Sequence, residues 1–182
     1  MSSSPIINNT ILSLSNISSE IYELISPIRP DWNASNTRLV PFTEGITNAI
    51  LGLFDTRTPD DESKALVIKL FGAHTELFID RSSEFDAMVK LSKDGVLDQH
   101  VLIEFGNGFI YEYASGQSCS REEVRKENIA KLIAIKLAQI HSVAIEKSEK
   151  VFLIPIMRKF LQLINENQEQ TKGLYSFFSP FN

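Results

Sequence analysis

Apolar residues recur along this chain at two spacings, one close to every second position and one close to every 3.6. Short apolar runs at 38–42, 50–54 and 65–71 predict strands, the last being the most strand-like (Ala-Leu-Val-Ile-Lys-Leu-Phe). Residues 101–105 and 109–113 predict two more, joined as a hairpin around Gly106, Asn107 and Gly108. Helical spacing places Ile21, Leu24 and Ile25 on one face of a short helix that Ser18 and Ser19 open and that stops before Pro27. Asp80 is placed to cap a second helix, carrying Phe85, Met88, Val89 and Leu91 and ended by Gly95. Ser120, Arg121, Glu122 and Glu123 read as a capping box opening a long helix to His141, with Ile129, Leu132, Ile133, Leu137 and Ile140 in helical register. A last helix is expected near 155–164. The Ser/Asn-rich start is expected to be loose.

Two features in this pattern carry chemistry. The first is the turn between the first two strands. Residues 42–50 read Phe-Thr-Glu-Gly-Ile-Thr-Asn-Ala-Ile, with small and hydroxyl-bearing residues whose backbone amides can face an anion. With a single glycine it is equally a plain hairpin turn. The second is Lys69, the one charge in an otherwise apolar strand. A buried ammonium must find an anionic partner, whereas on an exposed sheet face it reaches out to water.

Composition narrows the classes. The chain has 182 residues, 43% of them hydrophobic, enough for one domain with its own core. Eighteen basic against 23 acidic residues give a net charge of -5, which argues against a nucleic-acid binder. Cys119 is the single cysteine, so an intramolecular disulfide and a cysteine-based metal site are excluded, and a cytoplasmic home fits. No apolar run approaches the roughly 20 residues of a membrane span, and no signal peptide is expected. His74 and His100 have no second histidine or carboxylate at ligand spacing.

The order strand, turn, strand, strand, helix, strand, strand, linker, long helix is the plan of a kinase small lobe. At residue level the chain resembles the choline/ethanolamine kinases. The resemblance rests on 42–48 (Phe-Thr-Glu-Gly-Ile-Thr-Asn), 66–72 (Leu-Val-Ile-Lys-Leu-Phe-Gly), 75–81 (Thr-Glu-Leu-Phe-Ile-Asp-Arg) with Glu84, and 107–113 (Asn-Gly-Phe-Ile-Tyr-Glu-Tyr), together with the Ala-Gln-Ile-His ending at His141. It spans residues 20–165 in order, and the turn looks more like that of the ethanolamine kinases. The fold it implies is α+β: a protein-kinase-like small lobe, an antiparallel five-stranded sheet plus a helix, followed by the first helices of a truncated large lobe. Domain boundaries follow as a disordered leader at 1–17, the small lobe at 18–113, a linker at 114–119, large-lobe helices at 120–170 and an unfinished tail at 171–182.

The resemblance also implies a nucleotide site. Thr43, Glu44, Gly45, Ile46, Thr47 and Asn48 would cover the ATP phosphates. Lys69 would meet those phosphates and pair with Glu84. Backbone groups of Glu112 and Ala114 would meet the adenine edge. Ala49 stands where ethanolamine kinases often carry Lys. The implied reaction is ATP-dependent phosphorylation of ethanolamine, the entry step to phosphatidylethanolamine.

In this family the catalytic base and the Mg²⁺ ligands come from a His-Asn-Asp segment and an Asp-Tyr-Glu segment, and no Asp follows Asp98 here. The chain is therefore expected to contain no catalytic or metal-binding residue, to be inactive alone, and to meet Mg²⁺ and ethanolamine only through the missing half. The alternatives are a non-catalytic regulator, docking on a full-length kinase or on a second copy through an aromatic tail (Phe177, Phe178, Phe181), and a fragment of a choline-type kinase.

Overall fold

The computed structural model describes residues 4–42, 48–72, 75, 79–143 and 153–166. The chain divides into two compact units, Met1–Val143 and Ala144–Asn182. The first holds a six-stranded sheet of order β1-β5-β6-β4-β3-β2. Its strands are β1 (Ile6–Ile7), β2 (Thr37–Phe42), β3 (Asn48–Asp55), β4 (Leu66–Phe71), β5 (Val101–Phe105) and β6 (Gly108–Glu112). Three helices accompany it: α1 (Ile17–Ile25), α2 (Arg81–Lys93) and α3 (Glu127–His141). In the second unit α4 spans Leu153–Glu166, with Leu153, Ile156, Met157, Phe160, Leu161 and Ile164 at helical spacing.

Strand alternation gives the sheet two unlike faces. On one side Leu51, Leu53, Leu66, Ile68, Leu70, Ile103, Phe105 and Ile110 pack with Ile17, Ile21, Leu24 and Ile25 of α1 and with Trp32. Each such side chain taken out of water contributes about 1.5–3 kcal/mol, so this face is the core. The hydroxyl groups of Tyr22 and Thr37 lie 2.9 Å apart and tie α1 to β2. The other face shows rows of residues read across the strands. One row is Phe42, Ile50, Lys69 and Phe109; the next is Val40, Gly52, Val67 and Tyr111. This face is only partly covered, by α2.

Local signals explain the helix ends. The Asp80 carboxylate accepts the Ser83 N–H at 3.0 Å, and Gly95, at φ +70°, closes α2 in the left-handed conformation. The box at 120–123 forms, Ser120 N–H donating to Glu123 Oε2 at 2.8 Å and Glu123 N–H to Ser120 Oγ at 3.2 Å. It closes a 3-10 turn at Glu123–Arg125 instead of opening the long helix, which starts at Glu127 after an extended Lys126.

The leader departs from expectation. Ile6–Ile7 add to the sheet as β1, parallel to β5, so the sheet is mixed and six-stranded instead of antiparallel and five-stranded. Leu12 is buried in the core. Asn107, at the tip of the β5–β6 hairpin, takes the Leu12 N–H on Oδ1 and gives its Nδ2–H to the Leu12 carbonyl, both at 2.9 Å. Gly106 N–H donates to the Thr10 carbonyl at 2.8 Å. The partners lie 95 residues apart in sequence, so no local pattern announces them.

Asn107→Ala is expected to destabilise the chain by about 1–3 kcal/mol, because it strips partners from a part-buried backbone. Leu12→Ala is expected to cost about 2–5 kcal/mol. Urea unfolding of both variants checks this; wild-type stability in both would show that residues 8–12 are not part of the folded unit.

Candidate nucleotide site

The site is built on Lys69 and its row. Lys69 leaves the apolar strand β4 on the partly covered face, with its side chain 14% exposed. Its Nζ bonds to Glu84 Oε1 in the first turn of α2 and lies 5.3 Å from the centre of the Phe109 ring. The other carboxylate oxygen, Oε2, accepts from Arg81 Nη1 at 2.9 Å. Arg81 also donates through Nη2 to Thr75 Oγ1, and its Cζ lies over Phe71, 4.4 Å from the ring centre. One carboxylate thus holds two cations, each backed by an aromatic ring. Desolvation by partial burial works to raise the Glu84 pKa, but the hydrogen bonds and charges of Lys69 and Arg81 outweigh it and hold the group below its ordinary value. Burial pushes the Tyr111 hydroxyl up, and the Glu84 charge adds to this.

A second part lies along the linker. Pro41, Phe42, Tyr113, Ala114, Ser115, Gly116, Gln117 and Ser118 line a cleft of about 560 Å³. Phe42 and Lys69 share a row with Ile50 between them. At roughly 4.8 Å per strand the backbones of Phe42 and Lys69 stand about 10 Å apart. Lys69 and Glu84 do not line the cleft; Lys69 lies two strands away from its Phe42 wall.

The predicted residues fall as follows. Lys69 and Glu84 are brought together. Ala114 lines the cleft. Glu112 does not: its N–H donates to the His100 carbonyl at 3.1 Å, and its Oε2 lies 2.9 Å from both His100 N and His100 Nδ1. That N–H is therefore not available to a base edge, and His100, without a partner by sequence spacing, has one in space. Asn48 opens β3 opposite Phe71. Thr43, Glu44, Gly45, Ile46 and Thr47, like the tail with Phe177, Phe178 and Phe181, lie outside the described residues. Sequence reading passed over Arg81; its i,i+3 spacing to Glu84 was the available signal. Among the described residues no group of three or more His, Cys, Asp or Glu side chains is placed to hold a metal ion. No described helix is long and apolar enough to cross a membrane.

Because folding lowers the Glu84 pKa, its stabilisation is complete above the unfolded value near 4.5 and fades as pH falls through the lower folded value. Glu84→Gln is expected to cost about 1–3 kcal/mol at pH 7, with the gap to wild type narrowing below about pH 4.5. Denaturant unfolding at pH 7, 5 and 3.5 measures it. A gap that does not change with pH would refute the ion-pair assignment.

Comparison with known proteins places the arrangement. The choline/ethanolamine kinase family model matches residues 39–179. Ethanolamine kinase 1 of Homo sapiens is 32% identical over 120 residues, covering 66% of this chain and 26% of that protein. The probable ethanolamine kinase of Nematostella vectensis is 32% identical over 127 residues, 70% of this chain and 36% of that protein. The chain thus spans about a quarter to a third of these relatives. Among solved structures, an ethanolamine kinase of Plasmodium vivax superposes with a TM-score of 0.69 at 20% identity, over 87% of this chain and 46% of that one. A choline kinase of Cryptosporidium parvum gives 0.57 at 18% identity, over 71% and 37%. With a family model matched over most of its length and a kinase-like lobe built around Lys69 and Glu84, this chain belongs to the choline/ethanolamine kinase family.

Proposed function

We propose that this chain is the ATP-binding part of an ethanolamine kinase. The observation that carries the reading is the Lys69–Glu84 pair, set in the same row as the wall of the linker cleft. The nucleobase occupies that cleft beside Phe42, Tyr113 and Ala114, and the phosphates extend along the row to Lys69. There the ammonium neutralises phosphate charge, while Glu84, steadied by Arg81, keeps it aimed. Ethanolamine is the preferred acceptor on the ground of similarity: the ethanolamine kinase relatives stand at 32% identity, against 25% for a probable choline kinase of Arabidopsis thaliana. Transfer itself needs a carboxylate base and metal-binding carboxylates, which the family resemblance assigns to a His-Asn-Asp and an Asp-Tyr-Glu segment that this sequence does not contain, no Asp following Asp98. We therefore propose that this chain binds nucleotide without turning over ethanolamine.

The test is titration of the 182-residue chain with a fluorescent ATP analogue carrying an N-methylanthraniloyl group. Wild type is expected to bind and Lys69→Met to bind about tenfold more weakly, as befits loss of a charged hydrogen bond. ADP release dependent on ethanolamine is expected to be absent. Equal binding by the variant would remove Lys69 from the site, and robust turnover would overturn the inactive reading.

A second reading, a non-catalytic partner of a longer kinase chain, is favoured by one observation. Leu132, Ile133, Ile135 and Leu137 of α3 are all exposed, as expected of a helix that another protein surface covers. Affinity capture with full-length ethanolamine kinase is expected to recover this chain and to lose it with Leu132→Glu/Leu137→Glu. No capture by the wild-type chain would exclude this reading.

A further inference from the structure

The cleft in the nucleotide reading has an aromatic wall, and that wall rests on an absence. Gly52 is buried at the middle of β3, paired with Val40 on one side and Val67 on the other. Its φ lies outside the left-handed region, so the backbone does not call for glycine there. The space above it does. A Cβ at Gly52 would sit 2.5 Å from Phe54 Cε2 and 2.7 Å from Phe42 Cζ, well inside van der Waals contact. Both rings therefore lie across β3 in the volume a side chain would fill. Phe54 meets Tyr113 edge-on, with ring centres 5.1 Å apart and planes at 72°. Phe42 lies nearly parallel to Tyr113, at 6.2 Å and 24°. Phe42 and Tyr113 both line the cleft, and Phe54 lines none of it.

We propose that Gly52 is a positioning residue for the planar base of the bound nucleotide: its missing side chain seats Phe42 and Phe54 so that they brace Tyr113 and set the width of the slot. β3 is held by ladders to β2 and β4, so an added methyl group moves the rings and not the strand. Phe42 borders open cleft, and its displacement narrows the space a base would enter. The opposite face of β3, with Leu51 and Leu53 in the core, is untouched by the change.

This rests on the nucleotide-binding reading, and the experiment separates the two. The full chain is titrated with the N-methylanthraniloyl ATP analogue as wild type, Gly52→Ala, Phe42→Leu/Phe54→Leu, and the triple variant. Gly52→Ala is expected to weaken binding about tenfold in the Phe background and to change it less than about twofold in the Leu background, where the overlap is relieved. Equal binding by Gly52→Ala and wild type, or the same loss in both backgrounds, overturns the proposal. If Gly52→Ala alone does not fold, a cooperative thermal transition regained in the triple variant supports it, and none regained overturns it. A ligand-free reading comes from ¹³C NMR: Gly52→Ala is expected to shift the Phe42, Phe54 and Tyr113 ring signals and leave the Leu53 and Ile68 methyls in place. If wild type binds no nucleotide, the nucleotide reading fails, and the ring signals still decide whether Gly52 seats the aromatic wall: unchanged rings overturn it.

Discussion

A lysine in the middle of an apolar strand sets the condition that organises this lobe. Desolvating an ammonium costs several kcal/mol unless an anion meets it, and β4 offers none of its own. Glu84 must therefore arrive from α2, which fixes where that helix lies on the sheet. Arg81, one turn earlier on the same helix, takes the second carboxylate oxygen and lies over Phe71, so the helix is held by charge and by ring contact together. Phe85 of the same helix meets the buried Phe109 edge-on, with ring centres 6.0 Å apart, and adds an apolar contact to this arrangement.

The two faces of the sheet divide the work. The α1 face is closed by aliphatic packing and supplies stability. The other face holds the Lys69 row, the aromatic cluster of Phe42, Phe54 and Tyr113, and the linker cleft. Strand alternation makes this separation possible, since residues i and i+2 share a face while their neighbours build the core. A binding surface can then change without disturbing the residues that hold the fold. The chain spans 26% of the human ethanolamine kinase 1 and 46% of the Plasmodium vivax structure that it matches.

Much of this was legible in the chain. Strands β2 to β6 and helices α1, α2 and α4 follow from hydrophobic period and from caps such as Asp80 and Gly95, because those signals act between residues one to four apart. The Lys69–Glu84 pair could be named because the motifs that carry it stand in order and spacing. The leader was misread for the opposite reason. Its order comes from Asn107 and from the edge of β5, roughly a hundred residues away, and a Ser/Asn-rich stretch has no period of its own. The box at 120–123 is a related case: its reciprocal bonds formed, but they close a 3-10 turn just as well as a helix.

What the sequence determined by itself is the set of elements, the family, and the charged residue that needs a partner, all carried by local order along the chain. Tertiary structure alone decided the sixth strand, the commitment of Glu112 to His100, the second cation on Glu84 and the aromatic wall over Gly52. Each of these depends on which atoms meet across strands and on the volume left between them. Side chains far apart in sequence compete for that volume only once the sheet has formed, and the outcome is written in distances, not in spacing.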